Sequence, residues 1–502
     1  MQRNLFEYLE NSAARFPDKT AYADVGRAFT FGGLLDFSLR CGSAVARRTN
    51  AVNRPVIVMA ARTAVTAAAF QAVLASGNFY VPVDAAMPVQ RMRAILEQIR
   101  PALLLYTAGQ EGIARELADN CPILDLSEAE REAPDRELLS RARAQVLDID
   151  PAYAIFTSGS TGTPKGIVCH HRGVMDQTEW LAQAGPFSED DVLGNQTPFF
   201  FDGSVKDVYI TLKCGCTCHI LPKKLFIFPK LLIEELNDKK VTTLAWATSA
   251  VHMVAASGVL DMYRPQFLNK VLAGGEALQA KELNIWRRAL PQVQYVNLYG
   301  PTEVTVDCTF YPIRREFADS EPIPIGKACA NMEVLLLEGD RPVPPGEPGE
   351  ICVRGTGLAL GYYGDWERTA QAFVQNPLNP DYPDRLYRTG DIGVMDENGD
   401  ILFLSRKDGQ IKHLGYRIEL GEIETALHGT PRVREAVCLF HQERDKLVCC
   451  YEGEITPDEL AGELRDRLPR YMTPNLYHRL EEMPRTPNGK LDRARLRREY
   501  LC

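Results

Sequence analysis

Residues 157–166 read TSGSTGTPKG, and eight of these ten are Gly, Ser or Thr. A run of such small residues lets the backbone approach a ligand closely. It offers N–H groups and hydroxyls together, which suits phosphate oxygens. Lys165 adds a point charge for the same group. The run is not a Walker A loop, because that pattern puts Ser or Thr after its Lys, and here Gly166 follows Lys165. The flanks, YAIF before and GIV after, are apolar, so the loop is predicted to join two strands. An ordinary strand connection has no use for three Gly, five Ser/Thr and a Lys at once.

Outward from the loop, PVIVMAA (55–61), FYVPVD (79–84) and PALLLYT (101–107) are predicted strands, and RMRAILEQIR (91–100) is a crossover helix between the last two. This strand–helix alternation runs to about residue 320 and implies mainly parallel sheet flanked by helices. Between about 320 and 405, stretches such as EVLLLEGDRPVPPGEPGEICVRG alternate short strands with turn signals, which predicts an antiparallel, barrel-like segment. A small α+β unit follows, with a helix at LGEIETALHG and a strand at EAVCLFH. The charged, Gly-containing RKDG stretch marks the predicted boundary. The fold class expected is therefore α/β with several subdomains: a large domain over 1–407 and a small mobile α+β domain over 408–502.

Composition limits the function. A chain of 502 residues needs two or three subdomains, and 45% apolar with 25% charged residues is that of a globular protein. The net charge of −9 argues against a nucleic-acid partner. The start, MQRNLFEYLENSAARF, lacks the apolar core of a signal peptide, and AVTAAAFQAVL (64–74) is too short to span a bilayer. A cytoplasmic protein with free thiols is expected from this and from the thirteen scattered cysteines. KCGCTCH gathers Cys214, Cys216, Cys218 and His219, but it has no matching second ligand pair for zinc. Its alternation by two predicts a strand with the three sulfurs on one face.

The loop and six further stretches, in order, resemble the ANL superfamily of adenylate-forming enzymes: acyl-CoA synthetases, adenylation domains of nonribosomal peptide synthetases, and luciferases. FTSGSTGTPKG is similar to the family's phosphate loop, and FFFDGSVKD (199–207) to its substrate-pocket motif. NLYGPTEVTV (297–306) resembles its nucleotide motif. GEICVRGTGLALGYY (349–363), YRTGD (387–391), SRKDGQIKHLGYRIELGEIE (405–424) and PRTPNGKLDR (484–493) complete the set, which spans nearly the whole chain.

The resemblance implies ATP and Mg²⁺ as cofactors and a role for each matching residue. Thr157, Ser158, Gly159, Thr161 and Lys165 would lie along the phosphates, with Gly274 and Gly275 allowing close backbone approach. Asn297 and Tyr299 would contact and stack on adenine beside Gly300. Thr302 would bind the α-phosphate, Glu303 the Mg²⁺, and Asp391, helped by Arg406, the ribose hydroxyls. Lys490 would be the mobile lysine that bridges the substrate carboxylate and the developing phosphate charge, and Asp408 the hinge. The catalytic burden then falls on Lys490, Lys165 and the metal, because adenylation is positioning and charge neutralisation rather than nucleophilic catalysis.

Asp202 falls where amino-acid-activating members pair an Asp with the substrate ammonium, and acyl-CoA synthetases generally lack it. Gly203, Lys206, Ala245, Val271, Ala273, Leu298, Val306 and Asp307 would line the rest of the pocket. Lys206, Val306 and Asp307 are similar to those of glutamate-activating domains, whereas Ala245 departs from them, and FDGSVKDVY also resembles stand-alone D-alanine ligases. Lys206 would either meet an acidic substrate or pair with Asp307 and leave a small neutral cavity. An acidic or small amino acid is the expectation. No thiolation signature follows PNGKLDRARLRREYLC, so the chain is expected to be either a stand-alone ligase served by a carrier protein in trans or a domain cut from a longer synthetase. The acceptor implied is the phosphopantetheine thiol of a carrier protein, with coenzyme A as the alternative. An acyl- or aryl-CoA synthetase is the rival enzyme, and a nucleotide-binding relic the rival non-enzyme.

Overall fold

The computed structural model describes residues 2–119, 121–159, 164–407, 410–442, 444–485 and 491–501. The chain divides into two compact units. The first comprises Met1–Ala85, Ile99–Ile155 and Gly166–Lys407, and the second Ala86–Gln98, Phe156–Lys165 and Asp408–Cys502. The second unit thus takes in two stretches from the first half of the chain that their composition does not set apart.

The first unit holds two largely parallel sheets. One has nine strands, in the order Lys327–Ala328, Thr309–Pro312, Gln294–Tyr299, Lys270–Gly274, Thr243–Ala247, Val192–Asn195, Thr217–Ile220, Thr20–Ala23 and Ala28–Thr30. Its strands from Gln294–Tyr299 through Thr20–Ala23 pair in parallel, and the outer ones are antiparallel. The other sheet contains Pro55–Ala60, Phe79–Asp84 and Leu103–Tyr106, the predicted strands, paired in parallel. Pro55–Ala60 is buried along its whole length, as a parallel strand covered on both faces must be. The Ala-rich stretch is the helix Ala64–Ala75, all but one of whose residues are buried, so its apolar surface faces core on every side. Among the described residues no helix is long and apolar enough to cross a membrane.

The antiparallel segment is a six-stranded sheet whose hub is Arg385–Met395, which pairs with Pro348–Gly355, Phe373–Gln375 and Ile401–Arg406. In the second unit, the helix Leu420–His428 and the strand Val433–His441 lie where the sequence predicts them. That strand pairs antiparallel with Lys446–Gly453, which pairs parallel with Leu476–Leu480.

KCGCTCH is not a continuous strand. Cys214 ends the helix Gly203–Cys214, Gly215 caps it in the left-handed region at φ +75, and only Cys218 of the three cysteines lies in the strand Thr217–Ile220. The helix continues through the first cysteine because its capping Gly comes one residue later.

Candidate functional site

In the first unit, the antiparallel register sets Asp391 opposite Arg406. The Arg406 guanidinium donates to Asp391 Oδ1 at 2.5 Å, and the Tyr299 hydroxyl donates to Oδ2 at 2.5 Å. The Asp391 backbone N–H is held by Thr389 Oγ1 at 2.9 Å. Burial first, and then the Asp391 carboxylate, push the Tyr299 hydroxyl well above its ordinary pKa, so it stays a donor. Asp391 lies inside the strand Arg385–Met395 and is not a turn cap. On the strand Gln294–Tyr299, Asn297 donates through Nδ2 to the Pro324 carbonyl at 2.8 Å, while its buried Oδ1 has no partner. That lone acceptor is matched by an exocyclic amine such as that of adenine.

After Tyr299 the chain turns sharply at Gly300. A Cβ there would come within 2.4 Å of the Val306 carbonyl and 2.6 Å of Asp307 Cα, so no larger residue fits. Thr305 and Val306 follow at φ +58 and +80, where β-branched residues are strained. Thr302 is buried, and Glu303, fully buried, accepts a hydrogen bond from the Tyr362 hydroxyl at 2.9 Å. Among the described residues no group of three or more His, Cys, Asp or Glu is gathered as a metal cage. Mg²⁺ needs no cage, since it is held by one or two carboxylates together with phosphates and water, and Glu303 fits that pattern as a hard oxygen donor.

Asp202 stands at the N-terminus of the helix Gly203–Cys214 and makes no capping bond to that helix. Burial first, with a smaller push from the Asp202 carboxylate, raises the pKa of both Tyr153 and Cys169, so both stay protonated. Further along the helix, Lys206 Nζ lies 3.0 Å and 3.2 Å from the two oxygens of Asp307. Gln177 donates through Nε2 to Asp307 Oδ2 at 3.4 Å, and its Oε1 is buried without a partner. Gln177 comes from the helix His171–Ala184 and is not expected from the sequence, where a lone Gln on an amphipathic helix carries no signal.

Two predicted pocket residues face away from the others. Ala245 pairs with Leu272, and Gly274 with Leu298, across parallel strands, so these four share one face. Ala245, Leu272 and Leu298 pack into the core that includes Val205 and Val208 of the Asp202 helix. Val271 and Ala273 point to the opposite face, into a separate core with Leu244 and Trp246. A one-residue offset on a strand moves a side chain through the sheet, so Leu272 and Gly274, and not Val271 and Ala273, share the face of Ala245 and Leu298. Gly275 follows at φ +96 with open space around it.

In the second unit, Thr157 is buried with its Oγ1 unpartnered. Ser158 is committed elsewhere. Its hydroxyl donates to the Arg417 carbonyl at 2.7 Å and accepts the Glu419 N–H at 3.1 Å, so a phosphate would have to displace one of these bonds. The Gly159 N–H donates to Glu422 Oε2 at 3.2 Å, and Glu422 forms a buried ion pair with Arg91. Lys165 Nζ lies 3.9 Å from Glu419 Oε1. Glu419 and Glu422 belong to the quoted LGYRIELGEIE stretch, where the sequence assigns them no role, and Arg91 carries no sequence signal. Thr161, Asp408 and Lys490 lie outside the described residues.

The family profile described as AMP-binding enzyme matches residues 9–363, and that described as AMP-binding enzyme C-terminal domain matches 422–490. The chain is 32% identical to Bacitracin synthase 1 of Bacillus licheniformis, over 98% of its own length and 9% of the relative's. It is 29% identical to Tyrocidine synthase 1 of Brevibacillus parabrevis, over 98% of its own length and 45% of the relative's. The chain therefore spans less than half of either protein. Among solved structures, holo-PA1221, described as an NRPS protein containing adenylation and PCP domains bound to a vinylsulfonamide inhibitor, superposes with a TM-score of 0.85 at 26% identity, over 99% of this chain and 84% of that one. IdnL1 superposes with a TM-score of 0.81 at 27% identity, over 96% and 99%. With both its parts matched in order, the chain belongs to the family of AMP-binding enzymes.

Proposed function

We propose that the protein activates an amino acid with ATP and passes it to the phosphopantetheine thiol of a carrier protein. The observation that carries the nucleotide half is the Tyr299–Asp391–Arg406 cluster together with the unpartnered Asn297 Oδ1. An adenine amine satisfies that acceptor, and the remaining lone pairs of Asp391 accept ribose hydroxyls. Thr157 Oγ1 and Lys165 are the donors for the phosphates. Glu303 would hold Mg²⁺, whose contribution is to neutralise phosphate charge. Asp202 supports an amino acid, because it puts a carboxylate at the head of the helix that also carries Lys206.

In the first step a substrate carboxylate oxygen attacks the α-phosphorus, the bond to the β-phosphate oxygen breaks, and pyrophosphate leaves. The residues here bind and orient, and they supply positive charge; none needs to act as a nucleophile. Lys490 is assigned the bridge between carboxylate and phosphate. In the second step a thiolate adds to the acyl carbon and AMP departs. A carrier domain accompanies the adenylation domain in PA1221, which supports a carrier protein as acceptor. The cysteines among the described residues are free thiols, which supports a reducing, cytoplasmic site of action as part of this reading.

Pyrophosphate release with hydroxylamine trapping, run across L- and D-amino acids with fatty and aryl acids alongside, tests the reading. A strong amino-acid signal that Asp202→Ala abolishes is expected. Activity confined to acids without an amino group, or unchanged by Asp202→Ala, overturns the amino-acid assignment.

A further inference from the structure

We infer that Lys206, Asp307 and Gln177 together read the far end of the substrate side chain and select an uncharged, hydrogen-bonding group, a hydroxyl or carboxamide, over acidic and basic ones. This rests on the amino-acid reading above. Asp202 and Lys206 are four positions apart at the start of one helix, so they lie on the same face about one turn from each other. A substrate whose ammonium meets Asp202 directs its side chain along that face toward Lys206.

At that point the side chain meets an ion pair that is already complete. Lys206 is 7% exposed and Asp307 5%, and Nζ sits within hydrogen-bond distance of both carboxylate oxygens. The pair is built into the backbone. Asp307 follows two β-branched residues in the left-handed region, with Thr305 Oγ1 anchored to the Gly357 carbonyl at 2.7 Å and Gly300 packed beneath. Strain of this kind persists only where the surroundings over-determine it.

The sequence alone leaves open whether Lys206 meets an acidic substrate or Asp307, and the geometry decides for Asp307. A substrate carboxylate would have to draw Lys206 away and leave Asp307 buried and unpaired. A substrate ammonium or guanidinium would do the converse to Lys206. A neutral group breaks nothing. Gln177 Oε1 is a buried acceptor with no partner, and the Lys206 ammonium has three hydrogens to give against the two acceptors it meets in Asp307. A hydroxyl or carboxamide donates to the first and accepts from the second. Leu272 and Leu298, on the sheet face of Ala245, add only apolar wall.

The test is amino-acid-dependent ATP–pyrophosphate exchange with Ser, Thr, Asn, Gln, Asp, Glu, Lys, Arg, Ala, Val and Leu in both chiralities, with fatty and aryl acids alongside. The expected result is a kcat/KM for one of Ser, Thr, Asn or Gln at least about tenfold above every charged or aliphatic amino acid. Gln177→Leu should then lower the preference for that substrate over its apolar isostere (Thr against Val, Asn against Leu) by about tenfold, chiefly through KM. A strongest signal from Asp, Glu, Lys or Arg overturns the inference while leaving amino-acid activation intact. So does a strongest signal from an aliphatic amino acid, or a preference that Gln177→Leu leaves unmoved. Exchange with only fatty or aryl acids, or with no acid at all, overturns the amino-acid reading itself and this inference with it.

Discussion

Lys206→Met removes the ammonium from a buried ion pair while keeping most of the apolar stem. Asp307 is left 5% exposed, with the Gln177 amide at 3.4 Å as a weak donor. At the Nζ–Oδ2 distance of 3.0 Å, an effective dielectric of about 20 gives a Coulomb term of about 5.5 kcal/mol. Removing one partner of a buried pair costs about 3–5 kcal/mol, since the stranded charge keeps its desolvation penalty. The two estimates agree on several kcal/mol. All four tryptophans, Trp180, Trp246, Trp286 and Trp366, belong to the first unit, so urea unfolding followed by tryptophan fluorescence reports on that unit. The expected loss is about 3 kcal/mol or more for Lys206→Met, with most of it recovered in Lys206→Met/Asp307→Leu, where both charges are gone. A single-variant loss below about 1 kcal/mol, the value of a solvated surface pair, would refute the buried pairing. A double variant no more stable than the single one would refute the pairwise coupling.

Two more predictions concern polar groups left partly unmatched. Burial raises the pKa of Asp207 to about 7, against the opposing pull of Asn195, Lys206 and Arg62. Because the folded value lies above the unfolded one, the folded state holds this proton more tightly, and stability is lost as pH rises from about 4 to about 7. Asp207→Asn should flatten that slope and stabilise the first unit above pH 7 by up to about 4 kcal/mol in urea titrations across pH; an unchanged slope would sink the idea. Thr157 keeps a buried hydroxyl without a partner, so Thr157→Val should leave the melting temperature level or raised while increasing the KM for ATP about tenfold. A fall in melting temperature with KM for ATP unchanged would show that the hydroxyl serves the fold and not the phosphates.

Much of the fold is local in origin, and that part is legible in the sequence. Apolar runs bounded by turn residues mark the strands Pro55–Ala60, Phe79–Asp84 and Leu103–Tyr106, because the side-chain period and burial on both faces act over a few residues. The apolar flanks of TSGSTGTPKG become the strands Pro151–Thr157 and Lys165–His170 for the same reason. KCGCTCH departs from its predicted strand because two structures suit it equally over three residues, and the cap at Gly215 breaks the tie. Val271 and Ala273 lie on the sheet face opposite Ala245 and Leu298, which the local pattern does not reveal because inter-strand register, set by the whole sheet, decides the face a strand residue takes.

By itself the sequence determined which motifs the chain carries: a Gly/Ser/Thr loop closed by a Lys, an Asp at a helix start, a Tyr-Gly-Pro-Thr-Glu turn, and the order that ties them to one family. Those are properties of neighbouring residues, set by backbone conformation and side-chain type. What the tertiary structure decided is how distant charges are spent. Lys206 and Asp307 are 101 positions apart, and Tyr299 and Asp391 are 92 apart. Whether each meets its partner or a ligand depends on sheet register, on the strained turn at Thr305 and Val306, and on the desolvation that makes an unpaired buried charge so costly. No stretch of sequence encodes these locally, because each is a free-energy comparison between groups that only the folded chain brings together.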